Sequence, residues 1–125
     1  MKSIILLMLS AVVVAGSANA QTLSPQGNWS RGDGKAKVRI APCGAELCAV
    51  NTWIRAGVRD EKVGDKLVMS VVQDNDRTWK GKAFDPQRNL TYRLTIDVKG
   101  ATMTTSGCVL GGLICKHVDW TRLDR

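Results

Sequence analysis

The sequence predicts an all-β protein, a single small antiparallel β-barrel of about eight strands carrying two disulfides. Three observations lead there. Short segments with apolar–polar alternation follow one another from Gly27 onward, separated by clusters of Gly, Asp, Asn and Pro. Nothing beyond residue 20 keeps a helical period for three turns. Four cysteines stand in two close pairs, each flanking a glycine-containing turn. A barrel is preferred to a sandwich because eight strands can close a sheet, and closure leaves no exposed edge.

The chain has 125 residues, and the first twenty read as an export signal. Met1-Lys2 is basic, Ile4 to Ala15 is apolar apart from Ser10, and Ala18-Asn19-Ala20 is a small-residue cleavage site. The run is short for a membrane span, which takes about 20 apolar residues. Residues 1–20 are therefore expected to be removed after Ala20, placing the product in the periplasm or outside the cell. Residues 21–26, polar and containing Pro25, are expected to form a flexible leader. Residues 27–125 form the barrel domain, with no further membrane span.

The strands follow in order. Gly27 to Arg31 opens the fold, and Gly32-Asp33-Gly34 is a hairpin turn. Lys35 to Ala41 alternates, with Ala36, Val38 and Ile40 inward and Lys35, Lys37 and Arg39 outward. Pro42 to Glu46 turns the chain, and Leu47 to Ile54 returns. Arg55 to Asp65, charged and holding Gly57 and Gly64, is the longest loop. Lys66 to Val72 presents Leu67, Met69 and Val71 to the interior. Thr78 to Phe84 presents Trp79, Gly81 and Ala83, with Lys80 and Lys82 outside. Leu90 to Val98 is the clearest strand, with Leu90, Tyr92, Leu94, Ile96 and Val98 on one face and Thr91, Arg93, Thr95 and Asp97 on the other. Ala101 to Cys108 and Val118 to Leu123 complete the set.

In an oxidising compartment four cysteines read as two disulfides, and three pairings are possible. Cys43–Cys48 and Cys108–Cys115 are favoured because each pair brackets a short turn. The crossed pairings close longer loops and would stabilise more, so energy alone does not decide. Cysteines on either side of a four-residue turn suit a close, non-hydrogen-bonded pair of an antiparallel ladder.

Gly27-x-Trp29 on the first strand and Trp120-Thr121-Arg122 on the last resemble the lipocalin-like, or calycin, barrels. That resemblance implies an arginine lying across an early tryptophan, so that Trp29, Trp120 and Arg122 close the barrel. Further segments extend the likeness. They are Lys37-Val38-Arg39-Ile40-x-x-Cys43-Gly44-x-x-Leu47-Cys48, Gly81-x-x-Phe84-Asp85-Pro86, Thr91-Tyr92 and Gly107-Cys108-Val109-Leu110-Gly111-Gly112-Leu113-Ile114-Cys115. With them, Gly27 to Arg122 resembles the bacterial family named domain of unknown function 2147. The resemblance implies an exported protein with a lipocalin-like barrel and no established activity. One departure is that many members carry a longer connection with an Asn-Pro pair after the third strand. Arg55 to Asp65 is shorter and has no proline, so a role tied to that connection does not carry over.

Candidate chemistry is sparse. The cysteine spacings, with four and six residues between partners, suit structural bridges better than a redox or zinc centre. His117, the only histidine, lies near Asp119 but has no nucleophile tied to it by motif, Ser106 lacking a recognisable elbow. Asp74 and Asp76 begin like a calcium loop, but Trp79 stands where the bend requires glycine. No catalytic, cofactor or metal site is expected. The net charge of +7 and the basic rows Lys35, Lys37, Arg39 and Lys80, Lys82, Arg93 suggest a face for an anionic envelope polymer, a lipid or a protein. Export argues against nucleic acid. Trp53, Trp79 and Tyr92 could line a cavity, although the interior is expected to be filled, since eight strands leave room for little more than side chains. The first expectation is thus a non-enzymatic envelope protein binding through its basic face. The second is a carrier of a small apolar ligand in the barrel interior. The third is an enzyme using thiols or His117.

Overall fold

The computed structural model describes residues 10–14 and 23–124. Most of the expected export signal, with its cleavage site, lies outside the described residues. The strands are β1 (Gly27–Arg31), β2 (Ala36–Cys43), β3 (Glu46–Ile54), β4 (Lys66–Asn75), β5 (Thr78–Asp85), β6 (Leu90–Lys99), β7 (Thr102–Val109) and β8 (Ile114–Arg122). Each pairs antiparallel with its sequence neighbours, and β1 pairs with β8 to close an eight-stranded barrel. The closing seam sets Trp29 opposite Arg122, Ser30 opposite Thr121 and Arg31 opposite Trp120. Closure satisfies the backbone groups that β1 and β8 would otherwise expose as edges.

Alternation places the core. Trp29, Val38, Ile40, Met69, Ala83, Leu94, Ile96, Val98 and Met103 are buried together inside the barrel. They concentrate toward the end that holds the β2–β3, β4–β5 and β6–β7 turns. Trp29 and Ile96 have no exposed surface, so this end is packed solid. Gly81 is needed there for steric reasons. A Cβ at this position would collide with the backbone oxygen of Ser70, and only glycine allows β4 and β5 to bend so closely together.

Both disulfides form, as Cys43–Cys48 and Cys108–Cys115. Their geometries differ. Cys108 faces Cys115 directly across the β7–β8 ladder. Cys43 instead faces Glu46, and Cys48 faces Ala41, so the first bridge runs diagonally. The turn there is Gly44-Ala45, two residues shorter than the sequence suggests, because β2 and β3 pair up to Cys43 and Glu46. Likewise β8 begins at Ile114, four residues earlier than expected, since the chain reverses in a tight 3-10 turn at Leu110–Gly112.

Residues 24–26 fall in the segment expected to be a loose leader, yet they are tied to the packed end. Pro25 is buried, and its carbonyl accepts a hydrogen bond from Trp29 Nε1 at 2.9 Å. Arg122 reaches under the barrel and donates to Ser24 O at 2.7 Å and Gln26 O at 2.9 Å. Its guanidinium lies 4.2 Å from the Trp29 ring centroid. A planar cation can stack on an indole and still present its N–H groups sideways, which is why arginine suits this position.

Candidate functional site

The other end of the barrel is hollow. A cavity of about 920 Å³ opens among the β1–β2, β3–β4, β5–β6 and β7–β8 connections. The interior was expected to be filled, and at this end it is not. The reason lies in the size of the inward side chains. Asn51 and Ala49 on β3 and Thr105 and Gly107 on β7 face the space, where larger residues fill the packed end. The barrel is therefore a cup, with Ile40, Met69, Leu94 and Met103 toward its floor.

The walls are apolar and the rim is polar. Leu67 and Tyr92 line one side, Val118 and Trp120 another. Trp120 Nε1 donates to Thr105 Oγ1 at 3.0 Å, which satisfies the indole while its ring faces the cavity. The Tyr92 ring lies against Gly107, where a Cβ would come within 2.8 Å of it. Burial, reinforced by the charge of Asp85, pushes the Tyr92 hydroxyl above its ordinary pKa, so it stays a neutral hydrogen-bonding group at physiological pH.

A charged latch holds the rim. Arg31, at the end of β1, grips Glu61 of the long loop with Nη1–Oε1 and Nη2–Oε2 distances of 2.7 and 2.6 Å. Its Nε also donates to both oxygens of Asp33 at 3.0 Å. The Arg31 hydrogen bonds hold the Glu61 carboxyl below the usual range, and the Glu61 bond correspondingly raises the Arg31 guanidinium. Burial pushes Asp33 up, but the Lys35 amide and Arg31 outweigh it and leave the group lowered. On the opposite side Arg88 donates to Asp85 at 2.8 Å and to the Asp60 carbonyl at 2.6 Å. The β3–β4 loop thus lies along the mouth, pinned from two directions. Sequence reasoning missed the latch, because residues 31 and 61 share no motif and meet only once β1, β2 and β3 pair side by side.

The candidates named from sequence distribute as follows. Tyr92 lines the cup. Trp79 packs against the buried core instead. Trp53 is on the outer wall, 41% exposed, with the Lys37 ammonium 5.0 Å from its ring centroid. The cause is a β-bulge. Lys37 faces Trp53 but Val38 faces Asn51, so Thr52 is an extra residue and the inward phase set by Ala49 and Asn51 is lost before Trp53. Ile54, beyond the bulge, takes the register opposite buried Ala36.

The two basic rows do not form one face. Lys37 and Arg39 are on β2, Lys80 and Lys82 on β5, and Arg93 on β6 opposite Lys82. In a closed ring of eight, strands three and four places apart lie on opposite sides. Lys35 stands apart at the mouth, and Lys80 pairs with Asp74 at 3.3 Å. His117 is exposed on β8 opposite Ser106, while Asp119 accepts from Thr104 Oγ1 at 2.9 Å. All four cysteines are in disulfides, which removes the thiol chemistry considered above. Met103, Thr105 and Lys116, all at the cavity, were not singled out from sequence. The alternation of β7 and β8 was the signal that could have found them.

Among the described residues no helix is long and apolar enough to cross a membrane. The outer wall carries Lys37, Arg39, Lys80, Lys82 and Arg93 at outward positions, unlike the apolar band of a membrane barrel. The fold and its cavity define a disulfide-bonded, closed, cup-shaped β-barrel. Within that class the chain belongs to the bacterial family described as "Uncharacterized protein conserved in bacteria (DUF2147)", whose family model matches residues 27–122. No curated protein and no solved structure matches the chain.

Proposed function

We propose that this is a non-enzymatic binding protein of the bacterial envelope, periplasmic or secreted, that takes a small apolar or amphipathic molecule into its cup. The observation that carries this reading is the open cavity of about 920 Å³, apolar in its depth and polar at its rim. Ligand sites are commonly concave spaces of roughly 300–1,000 Å³ with apolar walls and a few polar groups. The order of the first two expectations from sequence is therefore reversed, because the basic rows diverge while the interior offers one concave site. Two disulfides suit an oxidising compartment outside the cytoplasm.

Native mass spectrometry of the disulfide-intact protein tests this, with displacement of a bound anilinonaphthalene sulfonate dye as a second readout. Wild type should carry, or take up, one small amphipathic molecule. Ala49→Phe places a ring in the hollow and should weaken uptake at least tenfold without lowering the melting temperature. Equal uptake by the variant, or no uptake of apolar or amphipathic molecules by wild type, would refute the reading.

A further inference from the structure

We infer that the rim of the cup docks on an anionic lipid surface, led by the tip of the β7–β8 hairpin. Leu110, Leu113 and Ile114 stand there 68%, 86% and 57% exposed. They serve no core. Leu110 holds φ +53, a conformation costly for a branched side chain, while its neighbours Gly111 and Gly112 show how readily glycine takes such angles. The Cys108–Cys115 bridge lies directly behind this turn and fixes it, so presenting the leucines costs little ordering on contact. Across the mouth, exposed Val63 in the β3–β4 loop and Leu90 at the start of β6 project from the same end.

Charge selects the occupant. Lys35, Lys66 and Lys116 line the mouth, and Arg59 and Lys62 sit in the loop beside it. Among the described residues these five cations make no ion pair. The acids Asp33, Glu61 and Asp85 are matched to Arg31 and Arg88. That leaves Asp60, Asp65 and Asp119 as the carboxylates there outside ion pairs; with three acids sharing two arginines, seven Lys and Arg face six Asp and Glu in all, and the balance is positive by one. Separate apolar tips with cations between them suit a fluid anionic interface, which can admit each tip singly while its headgroups meet the lysines. A protein partner would more usually meet a continuous apolar centre. The inference does not require the cup to be occupied, although docking by the mouth would give an amphipathic ligand a route from the lipid.

The test is co-sedimentation of the disulfide-intact protein with vesicles of phosphatidylcholine alone and of phosphatidylcholine mixed with phosphatidylglycerol. Wild type should bind the anionic vesicles, and binding should fall as salt rises. Leu113→Asp should weaken that binding tenfold or more, a factor expected from withholding one leucine from an apolar phase. Val72→Ser removes an equally exposed apolar side chain from β4, near the packed end, and should bind as wild type. Failure to sediment, equal loss in both variants, or capture of a protein by the hairpin without vesicle binding would overturn the inference. Dye displacement from Leu113→Asp in lipid-free solution separates the two readings. A variant that fills its cup normally but cannot dock supports both, whereas an empty cup on a protein that docks overturns only the ligand reading.

Discussion

Arg122 is the residue whose removal should be most costly at the packed end. Its guanidinium donates to Ser24 O at 2.7 Å and Gln26 O at 2.9 Å, and stacks at 4.2 Å on Trp29. A hydrogen bond from a charged donor contributes about 1.5–3 kcal/mol, and the stack about 0.5–2 kcal/mol. The carbonyls it leaves can be rehydrated, which lowers the sum. Arg122→Ala should then cost roughly 3–5 kcal/mol, a large part of the 5–15 kcal/mol typical of a domain. Arg122→Lys keeps the charge but loses the planar fork and should cost about half as much. Urea unfolding followed by tryptophan emission, with disulfides intact, measures both. The midpoint should fall in the order wild type, Lys, Ala, with the slope unchanged. An Ala variant within about 0.5 kcal/mol of wild type would show that the seam is held by its backbone ladder alone.

Three further outcomes are expected. The Glu61 carboxyl is lowered from an ordinary 4.5, so its contribution is complete above that value and is lost as pH falls through the folded-state pKa. Asp85, where hydrogen bonds from Arg88 outweigh burial, moves the same way. Hydrogen exchange in residues 55–65, corrected for intrinsic rate, should therefore accelerate on acidification before the strands do. Glu61→Gln should reproduce this at neutral pH, and unchanged protection would remove the latch from the account. Gly81→Ala should cost about 2–3 kcal/mol in urea because the added methyl meets backbone. Gly107→Ala should cost less, since the Tyr92 ring can shift, but should alter dye binding in the cup. Replacing either cysteine pair by serine should cost about 2–2.5 kcal/mol by loop-closure entropy, read from the same unfolding curves.

Most of the barrel could be read from alternation alone. Leu94, Ile96 and Val98 are buried on the inward face of β6, as their spacing demands. Alternation failed at Trp53, where one extra residue at Thr52 shifts the phase and nothing in the local composition marks it. It also could not distinguish a filled barrel from a hollow one. That depends on which residues from different strands share a level, and hence on register. Ala49 and Gly107 are unremarkable in sequence, but both face the same space and leave it empty. The Arg31–Glu61 pair was hidden for a related reason, since thirty positions separate its members and only the side-by-side pairing of β1, β2 and β3 brings them together.

The seam carries a consequence for how this chain acquires its shape. The bond from Arg122 to Ser24 spans 98 positions, and β1 has no second neighbour until β8 arrives. Bringing such distant segments together is entropically slow, so the hairpins between them should form well ahead of the ring. A polypeptide emerging from a ribosome must remain an open ribbon until β8 is free to meet β1. That strand is thus the timer of the barrel's folding.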